Sequence, residues 1–187
     1  MHAMGHVAQR MTADEYLEIP WDGQRTQLIE GEIVVNEARK LHQVVLLDLL
    51  RALDSWASAA PDRGSISLPL DVKLDERNVV GPDLMWYADG REPDVHAERP
   101  YALPDLAVEV RSPSTWRYDI GAKKAAYERA GLKELWLVDT VADAVLVFRR
   151  SAPTSMSFDH TLELAGEDQL ASPLLPGFAL AIKTLLA

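Results

Sequence analysis

Two acidic residues in this chain stand where an acid is costly to keep, and their surroundings point to a bound cation. In the run Leu106-Ala107-Val108-Glu109-Val110-Arg111, strand alternation sends Leu106, Val108 and Val110 to one face and Ala107, Glu109 and Arg111 to the other. A carboxylate at mid-strand among apolar side chains is unfavourable unless a cation or hydrogen-bond donors compensate its lost hydration. Arg111, two residues on and on the same face, is the nearest candidate. Asp83 opens an earlier strand directly after Pro82. If the two strands are neighbours, both carboxylates converge on one hard divalent cation. Mg²⁺ takes one or two protein carboxylates and completes its shell with waters and phosphate oxygens, and Mn²⁺, which also prefers oxygen, would substitute.

The elements that must position these residues follow from spacing. Thr12-Ala13-Asp14-Glu15 has the pattern of a capping box, so a short helix opens after Thr12 and stops near Pro20. Apolar runs at 27–29 and 33–35 flank Glu30-Gly31 and predict a tight hairpin. Leu41, Val45, Leu49, Ala52, Leu53 and Trp56 form one stripe of a long helix, ended by Pro61 and Gly64. From Ser65 to Leu74 the period becomes two, which predicts a half-buried strand with Pro69 at an edge or a bulge. Further strands are expected over 83–88 and 106–111, separated by a loop rich in proline and charge. Asp119 is placed to cap a helix reaching Ala130, with Gly131 to end it. Strands over 135–138 and 144–148 follow, joined by a loop bearing Asp139 and Asp143. Beyond Ser151 the pattern weakens, and Pro173, Pro176 and Gly177 mark turns. This order predicts an α/β protein with a central mixed sheet flanked by helices on both faces. The segment from Glu109's strand through the Asp119 helix to Leu135 has the length of a parallel crossover. Trp56, Trp86 and Trp136 sit in apolar patterns and read as core.

Composition sets the bounds. The 187 residues are 48% hydrophobic and 26% charged, which is ordinary for a globular protein, and one domain over 1–187 is expected, with 1–10 as a disordered extension. There is no cysteine, which removes disulfides and thiolate metal sites and fits a reducing compartment, so the cytoplasm is the default location. The N-terminal residues lack the apolar run of a signal peptide. No apolar stretch approaches the roughly 20 residues a membrane span needs. A net charge of −10 and a pI near 4.9 argue against a broad basic surface that coats nucleic acid. The segment 111–133 is the exception, with six basic and two acidic residues.

Pro82-Asp83, then Pro104-Asp105-Leu106-Ala107-Val108-Glu109-Val110-Arg111-Ser112-Pro113-Ser114-Thr115, then Asp119, Lys123, Tyr127, Gly131 and Glu134-Leu135-Trp136-Leu137-Val138-Asp139 resemble the Uma2 family of restriction-endonuclease-like proteins in the PD-(D/E)XK nuclease superfamily. The resemblance covers roughly residues 11–150. It implies a restriction-endonuclease-like core, hydrolysis of phosphodiester bonds in nucleic acid, most readily DNA, and a divalent metal on Asp83 and Glu109. The superfamily's lysine stands two residues after the acid, where this chain has Arg111; in this family it is displaced to the next helix, where Lys123 matches. Asp119, Lys123 and Tyr127 then share one helix face, with Tyr127 helping to seat the helix and Lys123 orienting or deprotonating the attacking water. Arg111, which stays protonated, would clamp a phosphate. Glu32 and His42 match recurrent family positions and would border the site, whereas Gln27 stands where family members often carry glutamate.

Two further readings use the same residues. A nuclease-fold protein without catalysis could serve as a binding or assembly module, in which case removing Asp83 would relieve carboxylate repulsion. A carboxylate-pair glycosidase leaves the basic segment unexplained. Nothing in the sequence is a DNA-reading motif. A homodimer would suit the cutting of two strands.

Overall fold

The computed structural model of the chain describes residues 10–20 and 22–186, so the expected N-terminal extension lies outside the described residues except for Arg10. Helix α1 (Ala13–Leu17) begins as its sequence requires: Thr12 Oγ1 accepts the Glu15 N–H while the Glu15 carboxylate accepts the Thr12 N–H. Strands β1 (Thr26–Ile29) and β2 (Glu32–Val35) turn at Glu30 and Gly31, whose φ angles of 51° and 79° are those of a two-residue hairpin turn that matches strand twist. Helix α2 (Lys40–Ala57) follows.

The segment expected as one strand over 65–74 is divided. Its first part, β3 (Ser65–Ser67), is the edge of one sheet, and its second, β4 (Val72–Asp75), pairs with β5 (Asn78–Val80) in another. Pro69 between them has no N–H to give to either ladder, and Leu68 is 55% exposed, so the alternation did not describe one buried face. The first sheet continues through β6 (Leu84–Tyr87), β7 (Leu106–Val110), β8 (Glu134–Asp139), β9 (Ala144–Arg149) and β10 (His160–Ala165). Its six strands lie in the order β10-β9-β8-β7-β6-β3, parallel only between β7 and β8. The second has the order β2-β1-β5-β4. A short ribbon of β11 (Gln169–Leu170) and β12 (Leu180–Ala181) leads into α5 (Ile182–Leu185).

Between β7 and β8 the chain crosses through α3 (Trp116–Tyr118), a π-helical turn at Asp119–Lys123 and α4 (Lys124–Ala130). The helix thus starts before Asp119, which is an inner residue and not its cap. Gly131 ends it at φ 91°, as expected.

Alternation along the central strands divides the core into two layers. Leu84, Trp86, Leu106, Val108, Val110, Trp136 and Val138 pack against Val45, Leu49, Leu53 and Trp56 of α2, joined by Phe178, Ile182 and Leu185. Ala107, Leu135 and Leu137 face the other way, onto Tyr127 of α4 and Val80 of the second sheet. The sheet is therefore mixed and covered by helices on both faces, and the three tryptophans lie in the core.

Gly64 fixes the approach of β3 to β6. Its φ is 71°, and a Cβ there would lie 2.0 Å from the Tyr87 carbonyl oxygen, whereas Gly90 has φ 72° with nothing within 4 Å. Gly64→Ala should therefore destabilise the protein beyond the left-handed backbone penalty of about 1–2 kcal/mol, and Gly90→Ala by that penalty alone. Urea unfolding midpoints compare the two; equal losses would contradict the contact.

Candidate active site

Asp83 stands where the chain passes from β5 of one sheet to β6 of the other. β6 pairs only as far as Leu84 with Val108, so the Val110 N–H is left beyond its ladder and donates to Asp83 Oδ2 at 2.8 Å. His42, in the first turn of α2, places Nε2 3.0 Å from the same oxygen. Arg25 Nη2 donates to Asp83 Oδ1 at 3.1 Å and to the Gly81 carbonyl at 2.9 Å. Burial pushes the Asp83 carboxyl up, but His42, Arg25 and the Val110 amide outweigh it and hold it below the ordinary value. Asp83 is thus an anchor for three donors, so its removal leaves buried partners unsatisfied, a cost set against the repulsion it exerts on Glu109.

Glu109 projects from β7 into the layer beneath the crossover helix. Its Oε1 accepts the Tyr127 hydroxyl at 2.7 Å and lies 2.7 Å from Lys123 Nζ. Lys123 Nζ is also 2.9 Å from Asp119 Oδ1, and Asp119 Oδ2 accepts the Thr115 hydroxyl at 2.9 Å. Thr115 is in turn bonded to Ser112 at 2.8 Å, so the Ser-Pro-Ser-Thr run sets the start of the helix that carries the lysine. The ammonium sits at ion-pair distance from both carboxylates without the angles of directed hydrogen bonds. The π-helical turn, which admits one extra residue and recurs at functional sites, keeps Asp119 and Lys123 buried while Ile120 is 48% exposed.

Burial raises Glu109, Lys123 lowers it, and Asp119 and Asp83 raise it again, leaving it at about 7. Lys123 is shifted up: burial opposes its charge, but Asp119 and Glu109 more than compensate. The shifts of this ion pair are not mirror images, because Glu109 faces two other carboxylates while Lys123 faces only anions.

Gln27 belongs to the same layer. Leu28 lies opposite Val79, and both pack on α1. The next pair, Gln27 and Val80, faces the other way, toward Ala107 and Tyr127. Gln27 is buried, and neither Oε1 nor Nε2 has a partner among the described residues. Such a sealed, unpaired amide is unusual in a native protein. Asp83 and Glu109, whose Oε2 accepts no bond among the described residues, offer only oxygens, the donors a hard cation takes. Among the described residues no group of three or more His, Asp or Glu side chains gathers as a ready-made metal cluster; Mg²⁺ commonly takes one or two carboxylates and fills its shell with waters and phosphate oxygens.

The structure brings Asp83, Glu109, Asp119, Lys123 and His42 together and leaves the other two candidates apart. Arg111 lies past the end of β7, where alternation no longer holds, and binds Asp139 at 2.7 and 2.9 Å with its guanidinium over Trp116. It is not the partner of Glu109. Glu32 is on the edge strand β2, 60% exposed and 3.9 Å from Arg10. The basic segment is no continuous phosphate-binding face, since Lys123 is buried, Arg111 and Lys133 pair with Asp139 and Asp105, and Arg129 with Asp75. Arg25 was not among the sequence candidates. Only its position directly before β1 and two residues before Gln27 could have suggested it.

A mixed sheet whose two parallel strands are joined by a helix bearing a buried lysine is the frame of the site. The chain belongs to the Uma2 family, described as "putative restriction endonuclease", whose model matches residues 13–183. Among solved structures it is similar to a "putative nuclease belonging to DUF820" from Anabaena variabilis, with a TM-score of 0.78 at 20% identity over 94% of this chain and 97% of that one. No curated protein matches the chain. Among the described residues no helix is long and apolar enough to cross a membrane.

Two outcomes test this geometry in the metal-free protein. Gln27→Leu should raise stability by about 1–2 kcal/mol, since it removes a buried amide that has no partner; a loss in urea unfolding would mean the amide is satisfied. Glu109 has its folded pKa raised from 4.5 to about 7. Its contribution is therefore present at pH 4.5 and below and is lost as the pH rises through 7. Wild-type stability should fall relative to Glu109→Gln between pH 5 and pH 8, as read by thermal unfolding; parallel profiles would exclude the shift.

Proposed function

We propose that the protein is a divalent-cation-dependent endonuclease that hydrolyses phosphodiester bonds in nucleic acid, DNA in the first instance, with Asp83 and Glu109 as the cation's carboxylates. The observation that carries this reading is the buried set of Asp83, Glu109, Asp119 and Lys123 at one end of the central strands. Three acids and one ammonium are thus buried near one another, an arrangement suited to a cation and a phosphate. Mg²⁺, or Mn²⁺ in its place, would polarise the phosphate and activate water when bound.

The chain's own groups define the rest. His42 and the Val110 amide occupy Asp83 Oδ2 and fix the plane of that carboxylate. Tyr127 fixes Glu109 through Oε1 and leaves Oε2 to turn outward. Lys123 keeps its proton, because Asp119 and Glu109 hold its pKa up, so it serves to orient water and stabilise charge developing on the phosphate, and not to accept a proton. Asp119 keeps the ammonium in place when Glu109 is engaged elsewhere. A homodimer would present two such sites to two strands.

The internal pairing of both carboxylates favours a second reading, a nuclease-fold binding or assembly module. The test is plasmid nicking by purified protein with Mg²⁺ or Mn²⁺, with and without EDTA. Asp83→Asn and Lys123→Met should each lower the rate by about 100-fold or more, as loss of a charge-stabilising group does in other enzymes. Wild-type protein with no cation-dependent cleavage of DNA or RNA would leave the module reading in its place.

A further inference from the structure

Asp83 has two oxygens, and the structure uses them differently. Oδ2 is saturated by the Val110 N–H at 2.8 Å and His42 Nε2 at 3.0 Å, both from buried groups. Among the described residues Oδ1 is met only by Arg25 Nη2, at 3.1 Å. A cation held by Asp83 must therefore take Oδ1, the oxygen that the guanidinium occupies. Arg25 also stands at the boundary of the site: its side chain is 32% exposed against 2% for Asp83, and it lines an open cavity of about 320 Å³ with Gly81, Thr26, Tyr16 and Arg99. Only Nη2 is engaged among the described residues, so a guanidinium released from Asp83 has its Nη1/Nη2 edge to offer a second anion. That end-on fork matches phosphate geometry.

From these contacts we infer that Arg25 is an exchangeable plug and a substrate-binding residue. In the metal-free protein it neutralises Asp83 Oδ1. When a divalent cation takes that oxygen, repulsion between the two cations drives the guanidinium outward, where it meets a phosphate of the incoming nucleic acid. The side chain moves between two anions without any covalent step. Cation and nucleic acid then bind with positive coupling, each removing the obstacle to the other. The inference rests on the nuclease reading above and adds to it the residue that couples the two ligands.

The two halves of this exchange make opposite predictions for one substitution. Arg25→Gln should bind Mn²⁺ alone about tenfold more tightly than wild type by calorimetry, because the competing charge-assisted bond is gone. With Mn²⁺ saturating, it should bind a fluorescently labelled DNA duplex about tenfold more weakly by anisotropy, strand integrity being checked on a gel. Arg25→Lys, which keeps the charge but not the planar guanidinium that would fork onto a phosphate, should show both changes in smaller degree and serves where the glutamine variant does not fold. Wild-type protein that binds Mn²⁺ while both variants bind it no more tightly overturns the exchange and leaves the nuclease reading standing. Tighter cation binding with unchanged duplex affinity overturns the substrate role. Wild-type protein that binds no Mn²⁺ overturns the nuclease reading and this inference together.

Discussion

The structure depends on one ammonium ion in the wrong place for an ammonium ion. Lys123 is among the largest fully buried side chains of the protein, and a lone charge there would be prohibitive. It is tolerated because Glu109 and Asp119 lie within 2.9 Å of it, and those acids are tolerated because of it. Removing any one member strands the others, so the three constrain each other far more tightly than the apolar contacts around them. Tyr127 donates to Glu109 Oε1 and Thr115 to Asp119 Oδ2. The crossover helix is thereby fixed in rotation as well as in position.

That mutual dependence explains what the sequence could and could not disclose. Glu109 was legible because it interrupts an apolar strand, and Asp83 because it follows a proline at a strand's start. Tyr127, expected only to seat the helix, also holds Glu109 directly. The paired strands β7 and β8, the helix between them and the long helix α2 were all visible in their periodicity. Lys123 was reachable only through family resemblance, because a lysine at i+4 of an aspartate looks like any solvated pair until the strand beneath it is in place. Arg111 was misassigned for a related reason: alternation was carried one residue past the end of the strand, where the chain turns and Asp139 waits. The division of 65–74 was hidden because Pro69 was read as a flaw within a strand and not as the gap between two. Strand β10 was missed because, on the sheet edge, its outward face carries Thr161, Glu163 and Ala165 and only Leu162 and Leu164 mark the inner one, which leaves little apolar signal.

Gln27 shows the limit of a reading that stops at residue type. As a substitution for a family glutamate it looked like a loss. In the structure it is a buried amide with no partner among the described residues. A neutral side chain there adds no further like charge to those of Asp83 and Asp119, which already raise the Glu109 carboxyl.

The position of Asp83 between the two sheets has a mechanical side. Arg25 and Gln27 ride on the four-stranded sheet, Glu109 on the six-stranded one, and Asp83 is on the link between β5 and β6. The width of the site is accordingly set by how the two sheets are seated on each other, through the Val80–Ala107–Tyr127 contact, more than by the rotamer of any one side chain. A slight shear along that seam would open or narrow the whole cluster at once, so packing residues that touch no ligand act as its gauge.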